Sequence, residues 1–485
     1  MANFNKVQRR NSKTVSYEGG TVYEKSPINE WLNMLFSSFM EDTFYEAAKT
    51  QQQRFIDLTN IMAETYGYEF VAKAAIFARN ELGMRSISQL VAAWLNAQSF
   101  DNKRAFYRTF MHRPDDVAEI FAAIDYLDGK RSHALIRGAA DYLSGLSAQT
   151  LAKYKLNSRD YNMYDLINIT HAHSKAIDDY KQGHLEKADI WEVNISEATD
   201  IEKRKQEWRR LVEEYKLGYM ALIRNLNNIL DSDVNQEWID TFLIPQITNK
   251  QAIINSLMFP YRFYTAYKNL KIHNLSIDSA LGKAFLIAAI HNAPQLEGKS
   301  GIILDVSGSM DNYISFNSDI TLKEVGACFA ITLMISNPNC VMVKFGNFAK
   351  VFSCNSLDNP FKSIEDFCKN DGCGYGTDII PAFEQMSKFS NLKRIFVISD
   401  MQVMNSKYYC WDYSTTKTPN EAYNKYFKTI PLYSFDLGNY HTQLKTSNDP
   451  NIHYITALND QVFKFIGFLE SDINLVDYIN NLNYY

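Results

Sequence analysis

The sequence predicts a multidomain chain, a stack of paired α-helices followed by a doubly wound α/β domain. Three observations predict it. From residue 28 to about residue 290, apolar residues recur near i, i+3, i+4 and i+7. After Pro294 the period shortens, and brief β-branched or aromatic runs alternate with helical ones. The charge and the cysteines divide at the same place. Residues 1–300 carry 36 basic and 36 acidic side chains, and residues 301–485 carry 14 and 19, so the whole net charge of −5 and all six cysteines fall in the second part.

In the first part INEWLNMLFSSFM, RFIDLTNIMAETY, EFVAKAAIFARNEL, SISQLVAAWLNAQ, VAEIFAAIDYL and HALIRGAADYLSGL each read as an amphipathic helix. The links between them (GMRS, FDNK, HRPDD, DGKRS) are short and polar. Amphipathic helices joined by such turns stack into an α-solenoid. The polar run EKRKQEWRRLVEEYK, 202–216, reads as the solvated face of a helix. YRFYTAY, 261–267, has helical spacing and reads as core.

In the second part GIILDV, VMVKFG, KRIFVIS, PLYSFDLG and HYITAL are the strands, with TLKEVGACFAITLMI and DIIPAFEQMSKF between them as helices. That alternation gives right-handed crossovers and a mostly parallel sheet covered on both faces. Ligands of such sheets sit at the carboxyl ends of the strands. Asp305 ends the first strand, and the loop after it offers Ser307 and Ser309. GYGTD, 374–378, opens a helix with Thr377, and VISD, 397–400, is a second strand that ends in an acid, Asp400. Five oxygen donors with two carboxylates suit a hard divalent cation, Mg²⁺ foremost, then Mn²⁺ or Ca²⁺. No lysine stands beside Asp305 as in a P-loop, and no second acid as in an aspartyl-phosphate hydrolase. The pattern resembles the metal-ion-dependent adhesion site of von Willebrand factor A domains at all five positions, across roughly residues 299–485.

The helical part also resembles a known family. YEGGTVYEKSPINEWLNMLF, DTFYE, ALIRGAADYL (134–143), KYKLNSRDYNMYDLINITHAHS (153–174), MALIRNLNNI (220–229) and SLMFPYRFYTAYKNLK (256–271) are similar to segments of TROVE-domain proteins of the Ro autoantigen type, including bacterial and phage relatives. The resemblance implies three parts: an N-terminal segment, 1–27, a helical RNA-binding TROVE domain, 28–296, and a von Willebrand A-type domain, 297–485. It implies that the helices form HEAT-like repeats closed into a ring. It also implies a ribonucleoprotein scaffold that takes the single-stranded 3′ end of misfolded or noncoding RNA, and Y-like RNA on its basic outer surface. Carried over by position, Lys153 and Lys155 match the family's basic pair, Arg159 its nearby arginine and His171 its histidine.

Physical chemistry is compatible with those assignments. Lysine and arginine within seven residues suit phosphate, and His171 suits a phosphate or a base. Asn157, Tyr161 and Asn162 suit splayed bases. Arg224, set among apolar residues, is expected to be paired within the helices, and Arg137 is read the same way, with lining of the central hole as the alternative for either. The alternative reading is a metal-dependent protein-interaction module with the helices as scaffold and no RNA. Its A domain would take a carboxylate from a partner protein. No histidine or lysine lies in the metal loops, so no enzyme is expected. The composition is that of a soluble globular protein, at 46% hydrophobic and 22% charged. No apolar run approaches the roughly 20 residues of a membrane helix. The cysteines form no CxxC pair or zinc spacing, and MANFNKVQRRNSKTVSYEGG lacks the apolar core of a secretion signal. A cytoplasmic monomer without membrane contact is therefore expected.

Overall fold

The computed structural model describes residues 13–15, 21–24, 26–37, 48–154, 156, 160–185, 190–293, 295–314, 318–354, 359–404, 418–438, 442–444, 452–455, 466 and 475–485. Two short strands, β1 (Lys13–Val15) and β2 (Thr21–Glu24), pair antiparallel near the start. Helices follow in a near-continuous series: α1 (Pro27–Ser37), α2 (Ala48–Tyr66), α3 (Tyr68–Asn80), α4 (Ser86–Leu95), α5 (Lys103–Phe110), α6 (Pro114–Tyr126), α7 (His133–Ser144), α8 (Ala148–Lys153), α9 (Met163–Thr170) and α10 (Lys175–Lys181). Beyond them come α11 (Trp191–Glu197), α12 (Ile201–Glu213), α13 (Tyr219–Arg224), α14 (Leu226–Leu230), α15 (Gln236–Trp238), α16 (Ile244–Ile247), α17 (Lys250–Ser256), α18 (Tyr261–Lys268) and α19 (Leu275–Asn292).

The polar links predicted from sequence fall between these helices and also cap them. Ser132 Oγ accepts from the Leu135 amide at 3.3 Å at the start of α7, and Pro114 opens α6. The chain divides into two compact units. Residues 52–242 with 472–485 form one, and residues 1–51 with 243–471 the other. The change of period near 297 and the division by packing therefore fall at different places.

In the helical unit, α3, α5, α7 and α9 contact one another in succession, while α4 packs on both α3 and α6. Each helix buries its apolar stripe against the next but one, as a stack of helix pairs requires. One carboxylate ties three helices together. Asp116, fully buried near the start of α6, accepts from Arg79 Nε at 2.9 Å and Nη2 at 2.8 Å on α3. It also accepts from Gln89 Nε2 of α4 at 2.8 Å and from the amides of His112 and Arg113 at 3.0 Å each. Five donors satisfy both oxygens, which makes a buried ion pair tolerable here. The charged helix α12 lies as expected, with Trp208, Leu211 and Val212 buried, while Arg210 spans Glu207 and Glu214 at the surface.

The other unit is built on a six-stranded sheet of order β5-β4-β3-β6-β7-β9. Its strands are β3 (Lys299–Asp305), β4 (Cys340–Phe345), β5 (Ala349–Phe352), β6 (Leu392–Ser399), β7 (Leu432–Asp436) and β9 (Ile452–Ile455). The two-residue β8 (Thr442–Gln443) pairs with β2 instead. All neighbours in the large sheet run parallel except β5, an antiparallel edge that the sequence reading did not foresee. Because β4 joins β3 on one side and β6 on the other, the strand order reverses at β3.

Helices α20 (Leu322–Ser336), α21 (Pro360–Cys368), α22 (Ile380–Met386) and α23 (Pro419–Phe427) complete this unit. On one face Ile303, Val343, Val397 and Leu432 meet α22 and α23 in a single apolar cluster. On the other, α20 packs on β3 through Gly326, where a Cβ would stand 2.7 Å from Leu304 Cδ1 and 2.8 Å from Ile398 Cγ2. Helices α18 and α19 extend that layer. Phe259 lies 5.1 Å from Phe329, Tyr264 donates to Glu324 at 2.8 Å, and Phe361 stacks on Tyr267 at 4.5 Å. A last helix, α24 (Leu475–Asn481), packs on α3 in the helical unit. The five described cysteines are free thiols, and Cys410 lies outside the described residues. No described helix is long and apolar enough to cross a membrane.

Asp116→Ala leaves Arg79 buried and unpaired, so it is expected to cost about 3–5 kcal/mol in urea unfolding. A loss below about 1 kcal/mol would mean that the five-donor knot does not hold α3, α4 and α6 together.

Candidate functional site

The carboxyl edge of β3 is built by strand pairing. β3 and β6 are parallel with Leu304 opposite Ile398, so Asp305 and Ser399 emerge side by side and Asp400 follows at once. Asp305, Ser307, Thr377 and Asp400 are all buried, and Ser309 is half-buried. Asp305 Oδ1 accepts from the Ser307 amide at 2.8 Å, and the Ser307 and Ser309 hydroxyls lie 3.3 Å apart. The Ser309 hydroxyl also bonds Asp400. Four of the five predicted donors are thus linked directly.

Thr377 is held by its loop. Gly308 donates its amide to Tyr375 O at 3.0 Å, and Met404 donates to Thr377 O at 2.9 Å. The same loop presses on the end of β4, where a Cβ on Gly346 would stand 2.1 Å from Gly374 O. Only glycine fits that approach. Gly374 itself has φ +83°, and its amide is held by Asn370 Oδ1 at 3.0 Å.

Two residues that the sequence reading passed over complete the edge. Ser399 donates to Asp305 Oδ2 at 2.7 Å. Asp436, at the end of β7, is a third buried acid, and its charge acts on Asp400. The signal for it was present, because SFD ends a strand in an acid just as ILD and ISD do. Among the described residues, no three His, Cys, Asp or Glu side chains converge on one point, so Asp436 stands back from the other two.

The edge carries more negative charge than it neutralises. Burial first, then the Asp305 charge, pushes Asp400 up to about 7, and burial pushes Asp305 up to about 6. Lys323, whose charge acts on Asp305, gives its Nζ to Asp311 at 2.6 Å. Two buried carboxylates without a bonded cation, beside three hydroxyls, fit a hard divalent ion. Bound there, such an ion would supply positive charge and open coordination positions. Asp305 and Asp400 would hold it, and the hydroxyls would orient them.

The RNA residues expected from sequence lie in the helical unit. Lys153 ends α8 and pairs with the Glu192 carboxylate of α11. Its Nζ lies 5.6 Å from the Tyr154 ring, which Arg113 also approaches at 5.3 Å. His171 caps α9 in the left-handed conformation, φ 57° and ψ 32°, with its side chain exposed. Lys155, Asn157 and Arg159 lie outside the described residues.

Three neighbours take other roles. Asn162 caps α9 by accepting from the Asp165 amide at 3.1 Å. The Tyr161 hydroxyl is engaged with Asp125 and Arg131. Arg224, expected to be paired within the helices, is instead exposed and makes no hydrogen bond or ion pair among the described residues. The reason is its place in the last turn of the six-residue α13, where Leu222 and Ile223 take the buried positions.

The chain thus combines a helical stack with an α/β sheet whose strand order reverses at an acidic edge. Residues 171–298 match the TROVE domain family. The fold matches the crystal structure of the Deinococcus radiodurans Ro protein at a TM-score of 0.61 and 15% identity, covering 92% of this chain and 100% of that one. Telomerase protein component 1 of Rattus norvegicus is 21% identical over a region covering 42% of this chain, and that of Mus musculus 20%. The chain spans 11% of the length of those two relatives. The chain thus carries a TROVE-domain match over part of its length and resembles a Ro protein in fold.

Asp305 and Asp400 both have folded-state pKa values above the 3.8 of an unfolded carboxyl. Their contribution to stability is full below 3.8 and is lost as pH rises through about 6 and then about 7. In chelator, the melting temperature is therefore expected to fall between about pH 4 and about pH 7, with a shallower fall in Asp400→Asn. A flat wild-type profile in chelator would show both acids to be solvated.

Proposed function

We propose that this protein is a ribonucleoprotein scaffold. Its helical domain takes the single-stranded 3′ end of misfolded or noncoding RNA, including Y-like RNA, and its von Willebrand A-type domain takes a protein partner through a divalent cation. The TROVE match that begins at His171 carries the reading. The Ro fold across 92% of the chain supports HEAT-like helical repeats joined to an A domain. The exposed imidazole of His171, on a turn fixed by helix capping, is available to a base or a phosphate. Lys153 is available only by exchanging Glu192 for phosphate, so it contributes less.

The partner half of the proposal rests on the strand edge. Mg²⁺, with Mn²⁺ or Ca²⁺ as substitutes, would sit on Asp305, Ser307, Ser309, Thr377 and Asp400, and a carboxylate from the partner would complete it. Among the described residues beyond 297, the exposed large apolar side chains are Tyr313, Phe348, Val351 and Tyr375. They lie on the loops after β3 and β4, on β5 and on the Thr377 loop. Exposed apolar side chains on loops next to a polar site suit a protein docking surface. Nothing in this reading requires catalysis.

Binding of a labelled single-stranded RNA, followed by gel shift, is expected to weaken by about 1–3 kcal/mol in His171→Ala. A smaller loss is expected in Lys153→Ala. Unchanged affinity in a Lys153→Ala/Lys155→Ala/His171→Ala variant would remove the proposed patch. For the other half, Mg²⁺ is expected to raise the melting temperature of the wild type near neutral pH and to leave Asp305→Asn unmoved. Equal shifts in both proteins would place the ion elsewhere.

A further inference from the structure

An open cleft of about 600 Å³ lies between α5 and α7, lined by Asn102, Arg104, Ala105, Arg108, Asp141 and Ser144. Gly138 lets the two helices that flank it approach closely. A Cβ there would stand 2.6 Å from Tyr107 Cβ and 2.7 Å from Arg104 O, so the two helices touch because α7 has no side chain at that point. The close approach lays two polar stripes side by side. On α5, Arg104 and Arg108 are one turn apart. On α7, Arg137, Asp141 and Ser144 follow at i, i+4 and i+7.

The charges in the cleft do not cancel. Asp141 is engaged by Arg104 through two bonds of 2.7 Å, and this guanidinium holds its carboxyl below the usual range. Arg108 lines the cleft and its charge acts on Asp141; Arg137 stands one turn before Asp141 on α7, beyond the lining; both are exposed, and neither makes a hydrogen bond or ion pair among the described residues. Two guanidiniums on adjacent helices are thus left to meet an anion. The cleft is also joined to the His171 turn, because Ser144 Oγ accepts from the His173 amide at 3.1 Å. Guanidiniums fork onto phosphate oxygens, and each such contact binds by releasing counterions.

We propose that the α5–α7 cleft is a phosphate-binding subsite that extends the RNA path from the His171 turn, with Arg108 in the cleft and Arg137, one turn before Asp141 on α7, taking successive backbone phosphates. This rests on the RNA-binding reading above. Asp141 sets the strength of the subsite. It orders Arg104 but places one negative charge where phosphate would lie. RNA is favoured over an acidic peptide by continuity with the turn on which the TROVE match begins.

The test is fluorescence anisotropy of a labelled short oligouridylate with the full chain over a salt series. Arg108→Ala/Arg137→Ala is expected to bind roughly 20-fold more weakly at about 0.1 M salt, with a log–log salt slope shallower by about 1.4 for two lost contacts. Asp141→Asn is expected to bind severalfold more tightly. Equal melting temperatures of the three proteins would exclude misfolding as the cause. If the double variant keeps wild-type affinity and slope while His171→Ala weakens binding, the subsite is overturned and the RNA-binding reading stands. If the double variant instead loses only capture of oligoglutamate, the cleft is a peptide site and the proposal fails. If the wild type binds no oligouridylate at any salt, both readings fall together.

Discussion

The α/β unit depends on one constraint: two carboxylates are held at one strand edge by parallel register. Asp305 and Asp400 are far apart in sequence, and they meet only because β3 and β6 run side by side with Leu304 opposite Ile398. Their burial follows from sheet layering. Helix α20 reaches the strands through Gly326, and α22 and α23 close the opposite face. Water excluded by that packing cannot solvate the acids, and each raises the cost of ionising the other. The loops then organise around them. Ser399 donates to Asp305, Ser309 to Asp400, and the Thr377 loop is pinned to β4 through the Gly346–Gly374 approach. An edge built this way favours the arrival of positive charge, and the sheet supplies none.

The helical unit solves the opposite problem. Its buried acid, Asp116, is fully satisfied by five donors from three segments, so it is structural and closed. The difference between Asp116 and Asp305 lies in their partners. A carboxylate bonded by a guanidinium, an amide side chain and two backbone amides has little left to offer a ligand. A carboxylate bonded by two serine hydroxyls and one amide, beside a second acid, still does. The same distinction separates the arginines: Arg79 is consumed inside the stack, whereas Arg108 and Arg137 stand on its surface.

The sequence was informative where the physics is periodic or local. The stripe of α3, the capping serines of α7 and α10, and strands ending in acids at β3 and β6 are local patterns, and the structure has them. It was less informative where the outcome depends on distant partners. Asn162 reads as an amide free for a base, yet Asp165 three residues on makes it a cap. Arg224 reads as an internal partner because its neighbours are apolar. But α13 is too short to wrap a full buried face, and the side chain points out. Asp436 followed the strand-ending rule that found Asp305 and Asp400. The motif of five donors had no sixth place for it, although its charge reaches Asp400. The α18–α19 layer reads with the helices by period, but it packs on α20 through aromatic contacts that no periodicity encodes.

Charge is where average and local readings part most clearly. With 36 basic and 36 acidic residues, the first 300 positions look indifferent to RNA. That balance is not uniform in space. Arg104, Lys153, Arg131 and Lys205 each spend their charge on Asp141, Glu192, Asp125 and Asp233. Paired charges contribute little field beyond a Debye length of about 10 Å. What a phosphate chain meets is the remainder, and the remainder includes the exposed guanidiniums of Arg108, Arg137 and Arg224. A neutral helical domain can therefore hold an anionic strand, provided its acids are engaged in pairs and its spare cations share a face. On α5 and α7 the close approach at Gly138 brings the backbone of Arg108 against the turn that carries Arg137. If that face takes an anionic strand, paired charges elsewhere would help confine the strand to it.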